Sequence, residues 1–242
     1  MLGGAHVGRT LLKLNQVNTY IDQFHILQNV NFEAKAGEVT VLLGRNGAGK
    51  TTTLRTIMGL NNASSGSVNF KDEDITKLPP YKIAQKGIGY VPEDQGIFYD
   101  LTVEEHFRVS IRTQDDASKE RLEWVLDLFP DLKKFWKKPG GQLSGGQKQM
   151  LSIARAYVND NELLLIDEPS KGLAPVMVEK VIESINMMKE KTTVVLVEQN
   201  FYMASKLGDT FFIIDDGITV HSGKMSELVA DETLKRKYLG IA

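Results

Sequence analysis

A glycine-rich stretch follows the first strongly hydrophobic segment of the chain, and its residue types suit phosphate binding. Residues 44–51 read GRNGAGKT, which fits the phosphate-loop pattern G-x-x-x-x-G-K-[ST]. Glycine lets backbone N–H groups approach phosphate oxygens without interference from a Cβ atom. Lys50 is expected to reach the β- and γ-phosphates, and Thr51 is expected to bind Mg²⁺. The sequence therefore predicts that the chain binds a nucleoside triphosphate.

Two adjacent carboxylates follow a later apolar run, LLLI at 163–166. A buried strand there would deliver Asp167 and Glu168 at its carboxyl end, where ligands collect in open α/β sheets. Asp167 is suited to hold Mg²⁺ through water, and Glu168 to orient and polarise an attacking water. Two charges at a strand end can also be merely solvated, but the phosphate loop upstream favours the catalytic interpretation.

A second glycine-containing stretch, QLSGGQKQ at 142–149, precedes an amphipathic segment. Ser144 and Gln147 have the spacing of a capping box, which explains a helix start without any further function. Gly145 and Gly146 are not explained in this way, because each glycine costs about 1 kcal/mol relative to alanine in a helix interior.

The elements that must position these residues can be read from the hydrophobic pattern. Continuous apolar runs bounded by turn residues predict a parallel sheet with strands at 38–43, 88–92, 162–166, 193–198 and 210–214. Segments 11–17 and 26–34 alternate and predict an antiparallel sheet that joins the first. Helices are predicted at 49–59, 103–112, 119–129, 145–158, 175–190 and 200–207. Thr102 with Glu105 predicts a capping box, and Ser118 is the predicted cap of the next helix.

The composition excludes several classes of protein. The chain has 242 residues, a formal net charge of −2 and no cysteine, so bulk charge does not indicate nucleic-acid binding, and disulfides are excluded. No stretch approaches the roughly 18 consecutive apolar residues of a membrane-spanning helix. The first ten residues, MLGGAHVGRT, lack the apolar core of a signal peptide. We therefore predict a cytoplasmic protein.

The phosphate loop, LSGGQ and LLLIDEP in this order resemble the ATP-binding cassette (ABC) ATPases, and the resemblance covers nearly the whole chain. It implies an α/β fold, a P-loop NTPase with a RecA-like core, an antiparallel β subdomain and an inserted helical subdomain. One ABC ATPase domain would span 1–242. The core and β subdomain would take 1–92 and 161–222, the helical subdomain 93–160, and C-terminal helices 223–242.

The resemblance also implies roles for individual residues. Tyr20 lies about thirty residues before Lys50, where the family has an aromatic ring that stacks on adenine. The implied ATP contacts are Tyr20, Gly44, Arg45, Asn46, Gly47, Ala48, Gly49, Lys50, Thr51 and Thr52. The signature motif, which in the family contacts the γ-phosphate of ATP held by another subunit, would be Leu143, Ser144, Gly145, Gly146 and Gln147. The loop at 170–175, SKGLAP, would run between the two sites.

Two positions depart from the usual family pattern. Glu93 stands where glutamine is typical, and it could either keep Mg²⁺ bound or repel phosphate charge. Gln199 stands where a histidine typically contacts the γ-phosphate; glutamine can still hydrogen-bond a phosphate but carries no proton charge. Lys50, Glu168 and Gln199 are thus the implied catalytic residues, and Thr51, Asp167 and Glu93 the implied metal ligands. Lys171 and Asp94 also differ from the usual pattern.

The stretches VPE, LTVEE, EPSKGLAP and LVEQN together resemble ATPase subunits of importers for branched-chain amino acids and related polar solutes, including urea and amides. The implied partners are transmembrane permease subunits, a second ATPase (homologous or an identical copy) and, indirectly, a solute-binding protein, on the cytoplasmic face of the membrane. Phe98 and Tyr99 are the predicted permease contacts, and Phe107 a core residue. The alternatives are an exporter or lipid-transport ATPase, a non-transport cassette acting on chromosomes or ribosomes, and a non-hydrolytic nucleotide binder, which the acidic pair disfavours.

Overall fold

Two β-sheets organise the part of the chain that the computed structural model describes, residues 8–240. The signal-peptide expectation rests mainly on residues 1–7, which lie outside this range. The strands, in chain order, are β1 (Thr10–Ile21), β2 (Phe24–Lys35), β3 (Val39–Leu43), β4 (Ala63–Phe70), β5 (Glu73–Asp74), β6 (Ile88–Val91), β7 (Leu163–Asp167), β8 (Thr193–Val197), β9 (Thr210–Asp215) and β10 (Ile218–Lys224).

The larger sheet has the strand order β10-β9-β3-β8-β7-β6. Its strands are parallel except for β10, which pairs antiparallel with β9. Every residue of β3, β7 and β8 is buried, because both faces of the sheet are covered. The five predicted parallel strands are confirmed to within one or two residues. Their carboxyl ends lie at one edge of the sheet, and the segments that follow them meet there.

The smaller sheet is antiparallel, with the order β2-β1-β4-β5. Its β1–β2 pair confirms the antiparallel strands predicted at 11–17 and 26–34. The predicted union with the larger sheet is wrong, because no strand of one sheet pairs along its length with a strand of the other; isolated hydrogen bonds and one shared hydrophobic cluster connect them. For example, the Gln28 N–H donates to the Gly217 carbonyl at 2.8 Å. Positive-φ residues Gln16 and Asn29 interrupt the regular extension of β1 and β2, which is typical of strands that bend away from a common plane.

Ten α-helices occur in the described residues: α1 (Lys50–Ile57), α2 (Pro80–Gln85), α3 (Val103–Ser110), α4 (Asp116–Leu128), α5 (Pro130–Lys134), α6 (Gly145–Tyr157), α7 (Pro175–Met188), α8 (Phe201–Leu207), α9 (Met225–Ala230) and α10 (Glu232–Leu234). A one-turn π-helix, Lys235–Leu239, follows α10. Helices α3 to α6 all lie between β6 and β7. Within residues 8–240 no helix combines the length and apolarity needed to cross a bilayer.

The helix starts test two predicted caps. Thr102 accepts from the Glu105 N–H at 3.2 Å, and the Glu105 carboxylate accepts from the Thr102 N–H at 2.8 Å, which confirms the capping box of α3. The prediction that Ser118 caps α4 is wrong. The helix begins earlier, at Asp116, and the Asp115 carboxylate accepts from the Ser118 N–H at 2.8 Å. Asp115 suits the N-cap position because its carboxylate can accept from a first-turn N–H and its negative charge favours the positive end of the helix dipole.

Two hydrophobic clusters pack against opposite faces of the larger sheet. Val39, Val41 and Leu43 of β3 point into the cluster that contains α6, α7 and α8. Leu42 points into the other, which α1 and the smaller sheet complete. Strands β7 and β8 alternate in the same way, as period-two side-chain geometry requires. The parallel strands are therefore fixed from both sides, and their carboxyl-end loops are attached to a rigid support.

Candidate active site

The phosphate-loop sequence connects β3 to the start of α1. Gly44, Gly47 and Gly49 adopt φ values of 148°, 81° and 107°, where side chains are disfavoured. A Cβ on Gly44 would also lie 2.2 Å from the Ile214 carbonyl oxygen. The sequence therefore needs glycine here for close backbone packing. The loop leads into the N-terminus of α1, where first-turn N–H groups and the helix dipole favour an anion.

Lys50 is almost fully buried, with 4% of its surface exposed. Its ammonium donates to the carbonyl oxygens of Gly44 at 3.0 Å and Arg45 at 3.1 Å, both in its own loop. It also lies 3.7 Å from Glu168 Oε1. Burial lowers the pKa of Lys50, and the charge of Glu168 is the largest opposing effect. The structure thus fixes one positive charge between the phosphate loop and the acidic pair.

Asp167, the last residue of β7, faces Thr51 at the start of α1. The Thr51 hydroxyl donates to Asp167 Oδ1 at 3.1 Å, and the Tyr90 hydroxyl donates to Asp167 Oδ2 at 3.4 Å. Burial raises the pKa of Asp167 to about 6, and the nearby Glu168 charge adds to the effect. Tyr90 belongs to no sequence motif, and the pattern alone identifies it only as a strand aromatic.

Glu168 has a left-handed backbone, with φ at 45°, and is almost completely buried. The side-chain amide of Gln199 donates both to Glu168 Oε1 and to Asn46 Oδ1. Gln199 therefore connects the predicted general base to the phosphate loop. A non-glycine residue in this strained conformation is typical of sites where a side chain must be aimed.

Glu198 is a buried carboxylate that sequence analysis did not assign to the site. It accepts from the backbone N–H groups of Ser170 and Gln199 at 2.9 Å each and of Asn200 at 2.8 Å. Burial nevertheless raises its pKa. Its position directly after an apolar strand, as for Asp167, was the available signal. Glu198 holds the loops after β7 and β8 together.

Glu93 follows β6 and forms an ion pair with Lys171, which lies in the loop after β7. The structure gives Glu93 no hydrogen bond to Thr51 or Asp167, the other two implied metal ligands. An open cleft of about 300 Å³ brings most of these groups together; it is lined by Ile26, Asn46, Gly47, Gly49, Lys50, Thr51, Thr52, Glu93, Glu168 and Lys171. Among residues 8–240, no three histidine or acidic side chains are grouped closely enough to hold a metal by themselves.

The remaining predicted nucleotide contacts, Tyr20, Gly44, Arg45 and Ala48, do not line this cleft. Tyr20 is half exposed and stacks on His25, with ring centroids 4.2 Å apart, but it does not line the cleft. Arg45 donates to the Lys237 carbonyl oxygen at 3.1 Å, so the C-terminal π-helix touches the phosphate loop. Ala48 is buried beneath the loop. The adenine-stacking role of Tyr20 stays a prediction.

The LSGGQ segment forms the start of α6. Ser144 Oγ accepts from the Gln147 N–H at 3.3 Å, and Gln147 Oε1 accepts from the Ser144 N–H at 2.9 Å, which confirms the predicted capping box. Leu143 is buried. A Cβ on Gly146 would lie 2.4 Å from the Met177 side chain, whereas one on Gly145 would meet no atom within 4 Å. Packing within the chain thus accounts for Gly146 but not for Gly145.

The sequence model of the ABC transporter family matches residues 27–171. The chain belongs to this family. The high-affinity branched-chain amino acid transport ATP-binding protein BraG of Pseudomonas aeruginosa is 39% identical over 95% of this chain and all of its own length. The probable branched-chain amino acid transport ATP-binding protein LivF of Archaeoglobus fulgidus is 35% identical, over 96% of this chain and 99% of its own.

A solved structure described as a dimeric bacterial ABC transporter cassette superposes with a TM-score of 0.78 at 27% identity, covering 89% of this chain and 99% of its own. ABC cassettes bind and hydrolyse ATP to power transport, and they work as dimers with transmembrane components. The fold of the described residues is accordingly that of an ABC ATPase with a P-loop NTPase core.

Proposed function

We propose that this ABC ATPase hydrolyses ATP with Mg²⁺ in the cleft between the phosphate loop and Glu168, and thereby powers an importer for branched-chain amino acids or related polar solutes. The arrangement of Glu168 carries the catalytic part of the proposal. Its carboxylate is held by the Gln199 amide and lies 3.7 Å from Lys50 Nζ. The general base, the phosphate-binding cation and the glycine loop therefore share one edge of the sheet.

Each residue then has a defined role in hydrolysis. Lys50 exchanges its carbonyl partners for β- and γ-phosphate oxygens, and the loop N–H groups bind the same phosphates. Glu168 accepts a hydrogen bond from the attacking water and orients it toward the γ-phosphorus. Gln199 keeps the Glu168 carboxylate in place and exchanges its Asn46 partner for a γ-phosphate oxygen. Tyr20 is the proposed platform for adenine.

The Thr51 hydroxyl and Asp167 carboxylate supply hard oxygen donors 3.1 Å apart. This small set fits Mg²⁺, which retains several waters, binds few protein oxygens and, when bound, neutralises charge on the β- and γ-phosphates. Glu93 is a proposed further ligand, as the sequence implied.

The signature residues 143–147 are proposed to bind ATP held by a second cassette, either an identical copy or a homologous subunit. The open space at Gly145 supports this, because a phosphate can approach the backbone of α6 closely there. The dimeric relative provides independent support. Residues 93–160 would act as the helical subdomain that carries the signature, the core and β subdomain would occupy 1–92 and 161–222, and 223–242 would form C-terminal helices.

The solute and membrane partners are proposed from the relatives and from one surface. BraG and LivF are both named as branched-chain amino acid transport proteins. Phe98 and Tyr99 are exposed, whereas Phe107 is buried, so the first two are available to contact a permease on the cytoplasmic face of the membrane. A solute-binding protein would act through that permease, and no nucleic acid is involved. Co-purification of a permease and a solute-binding protein would support import over export.

The decisive experiment is Glu168→Gln, which keeps the side-chain shape but removes the base. We expect ATP to bind with near wild-type affinity, hydrolysis to fall by about a hundredfold or more, and an ATP-bound dimer to accumulate on size-exclusion chromatography. Glu162→Gln, at the opposite end of β7, is the matched control and should hydrolyse ATP normally. Unaltered turnover in Glu168→Gln would refute the assignment of the base.

A further inference from the structure

The ion pair between Glu93 and Lys171 crosses the mouth of the nucleotide cleft. Glu93 follows β6 and Lys171 lies four residues after the end of β7, and these two strands are neighbours in the sheet. Both side chains line the same cleft as Lys50 and Thr51. Lys171 is mostly exposed, so its position is set by its partner rather than by packing. The Lys171 ammonium donates to the Glu93 carboxylate.

Two carboxylates, Glu93 and Glu168, line this part of the cleft, and a third, Asp167, is buried and hydrogen-bonded to Thr51. The charges of Glu168 and Glu93 both add to the effect of burial in raising the pKa of Asp167. An uncompensated carboxylate at position 93 would also repel the phosphates of an incoming nucleotide, because like charges across a partly desolvated cleft interact over several ångströms. The Lys171 ammonium and the Glu93 carboxylate together carry no net charge. A single glutamine at position 93 would also be neutral.

We propose that Lys171 is a charge-balancing residue that allows a glutamate at position 93 without loss of affinity for the nucleoside triphosphate. This rests on the proposed function, because it assumes that ATP enters this cleft. It accounts jointly for two departures from the usual family pattern: the acidic residue after β6 and the lysine after β7. The sequence leaves two roles open for Glu93: it could keep Mg²⁺ bound, or it could repel phosphate charge. Lys171 suppresses the second effect when no metal is bound.

Nucleotide binding without metal isolates this effect from catalysis and from Mg²⁺. The affinity for ATP is measured by calorimetry in EDTA at low ionic strength. Lys171→Leu should weaken binding about three- to tenfold, as expected for one unbalanced, partly screened charge. Adding Glu93→Gln to Lys171→Leu should restore the affinity to within about twofold of wild type. In about 0.5 M salt the loss caused by Lys171→Leu should shrink, because the Debye length is then only a few ångströms.

The control is a second lysine–glutamate pair of similar exposure, Lys137 with Glu104 on α3. Lys137→Leu should leave ATP binding unchanged. Equal weakening in Lys171→Leu and in the double variant would overturn charge balance and indicate a direct phosphate contact by Lys171. Wild-type affinity in Lys171→Leu would also overturn it. Absence of ATP binding by the wild-type chain would instead refute the proposed function, and the role of Lys171 with it.

Discussion

Gln199 is the residue at which this chain differs most informatively from a typical ABC cassette. Its amide group donates both of its hydrogens, one to Glu168 and one to Asn46. A neutral histidine has a single N–H and could make only one of these bonds as donor. Glutamine therefore connects Glu168, the proposed general base, to the phosphate loop without carrying charge.

We predict that Gln199→Ala lowers kcat for ATP hydrolysis by roughly tenfold or more, because the Glu168 carboxylate loses the contact that aims it. The affinity for ATP should change much less, since Lys50 and the loop remain. Steady-state kinetics together with equilibrium nucleotide binding separate the two effects. Gln199→His, the usual family residue, should retain more activity than Gln199→Ala. Wild-type kcat in the alanine variant would show that Gln199 has only a structural role.

The sequence predicts individual site residues better than their partners. Lys50 can be identified because it lies in the glycine-rich loop that follows an apolar strand. Asp167 and Glu168 can be identified because they directly follow another apolar run. The Gln199–Glu168 and Lys171–Glu93 pairs join loops that are distant in the chain, and no local pattern encodes their contact. Glu198 follows an apolar strand, but it belongs to no motif that would assign it a role.

At the level of elements, the turn before α3 depends on a buried histidine. His106 Nε2 accepts from the Phe98 N–H at 3.0 Å, and Nδ1 donates to the Thr102 carbonyl oxygen at 2.8 Å. Burial lowers the pKa of His106, and the charge of Arg155 on α6 acts in the same direction. The Thr102 carbonyl and Glu105 on its own helix act oppositely but do not prevail. The turn that exposes Phe98 and Tyr99 therefore requires neutral imidazole.

We predict that stability falls as pH drops below about 6.5, the usual histidine pKa. The unfolded chain binds a proton at His106 more readily than the folded chain does, so this group stabilises the fold above that pH and loses the contribution as pH falls through its lowered folded pKa. Thermal unfolding between about pH 5 and 7.5 tests this. His106→Leu should be less stable at neutral pH but show a shallower decline. Parallel curves for the two proteins would contradict the prediction.

The sequence predicts the parallel strands more accurately than it predicts β4 and β10. The parallel strands have continuous apolar runs, so their positions follow from the sequence almost to the residue. Strand β4 reads ASSGSVNF and was not predicted, because its serines and glycine carry no strand signal and antiparallel pairing with β1 stabilises it. Strand β10 lies at a sheet edge and none of its residues is buried, so it lacks the alternation of buried and exposed residues that indicates a strand. Tertiary pairing, not local preference, determines both strands.

For the whole molecule, the open space at Gly145 allows a substitution that should change ATP hydrolysis without lowering the stability of the fold. Its φ is not positive, and added methyl atoms would meet nothing within 4 Å in the chain. We predict that Gly145→Ala leaves the thermal stability of the isolated chain unchanged or raises it by up to about 1 kcal/mol, because alanine favours helix. ATP hydrolysis should nevertheless fall by about tenfold or more, since the methyl group would displace the phosphate that we propose a second subunit presents there.

Gly146→Ala is the comparison for this prediction. Its Cβ would collide with the flexible Met177 side chain, so we expect a stability loss of about 1 kcal/mol. Thermal melts of the monomer and ATPase assays at dimer-forming concentrations provide the two measurements. Normal hydrolysis by Gly145→Ala would argue against a phosphate at this position.

The sheet order also has a consequence for the timing of synthesis. Strand β3 lies between β8 and β9, yet β8 begins at residue 193 and β9 at residue 210. At typical translation rates the ribosome needs about 8 to 30 s to make the intervening chain. During that interval β3 has neither of its neighbours, and Gly44 has no Ile214 carbonyl to pack against. The nascent chain therefore carries its most recognisable motif for many seconds before that motif can take its folded shape.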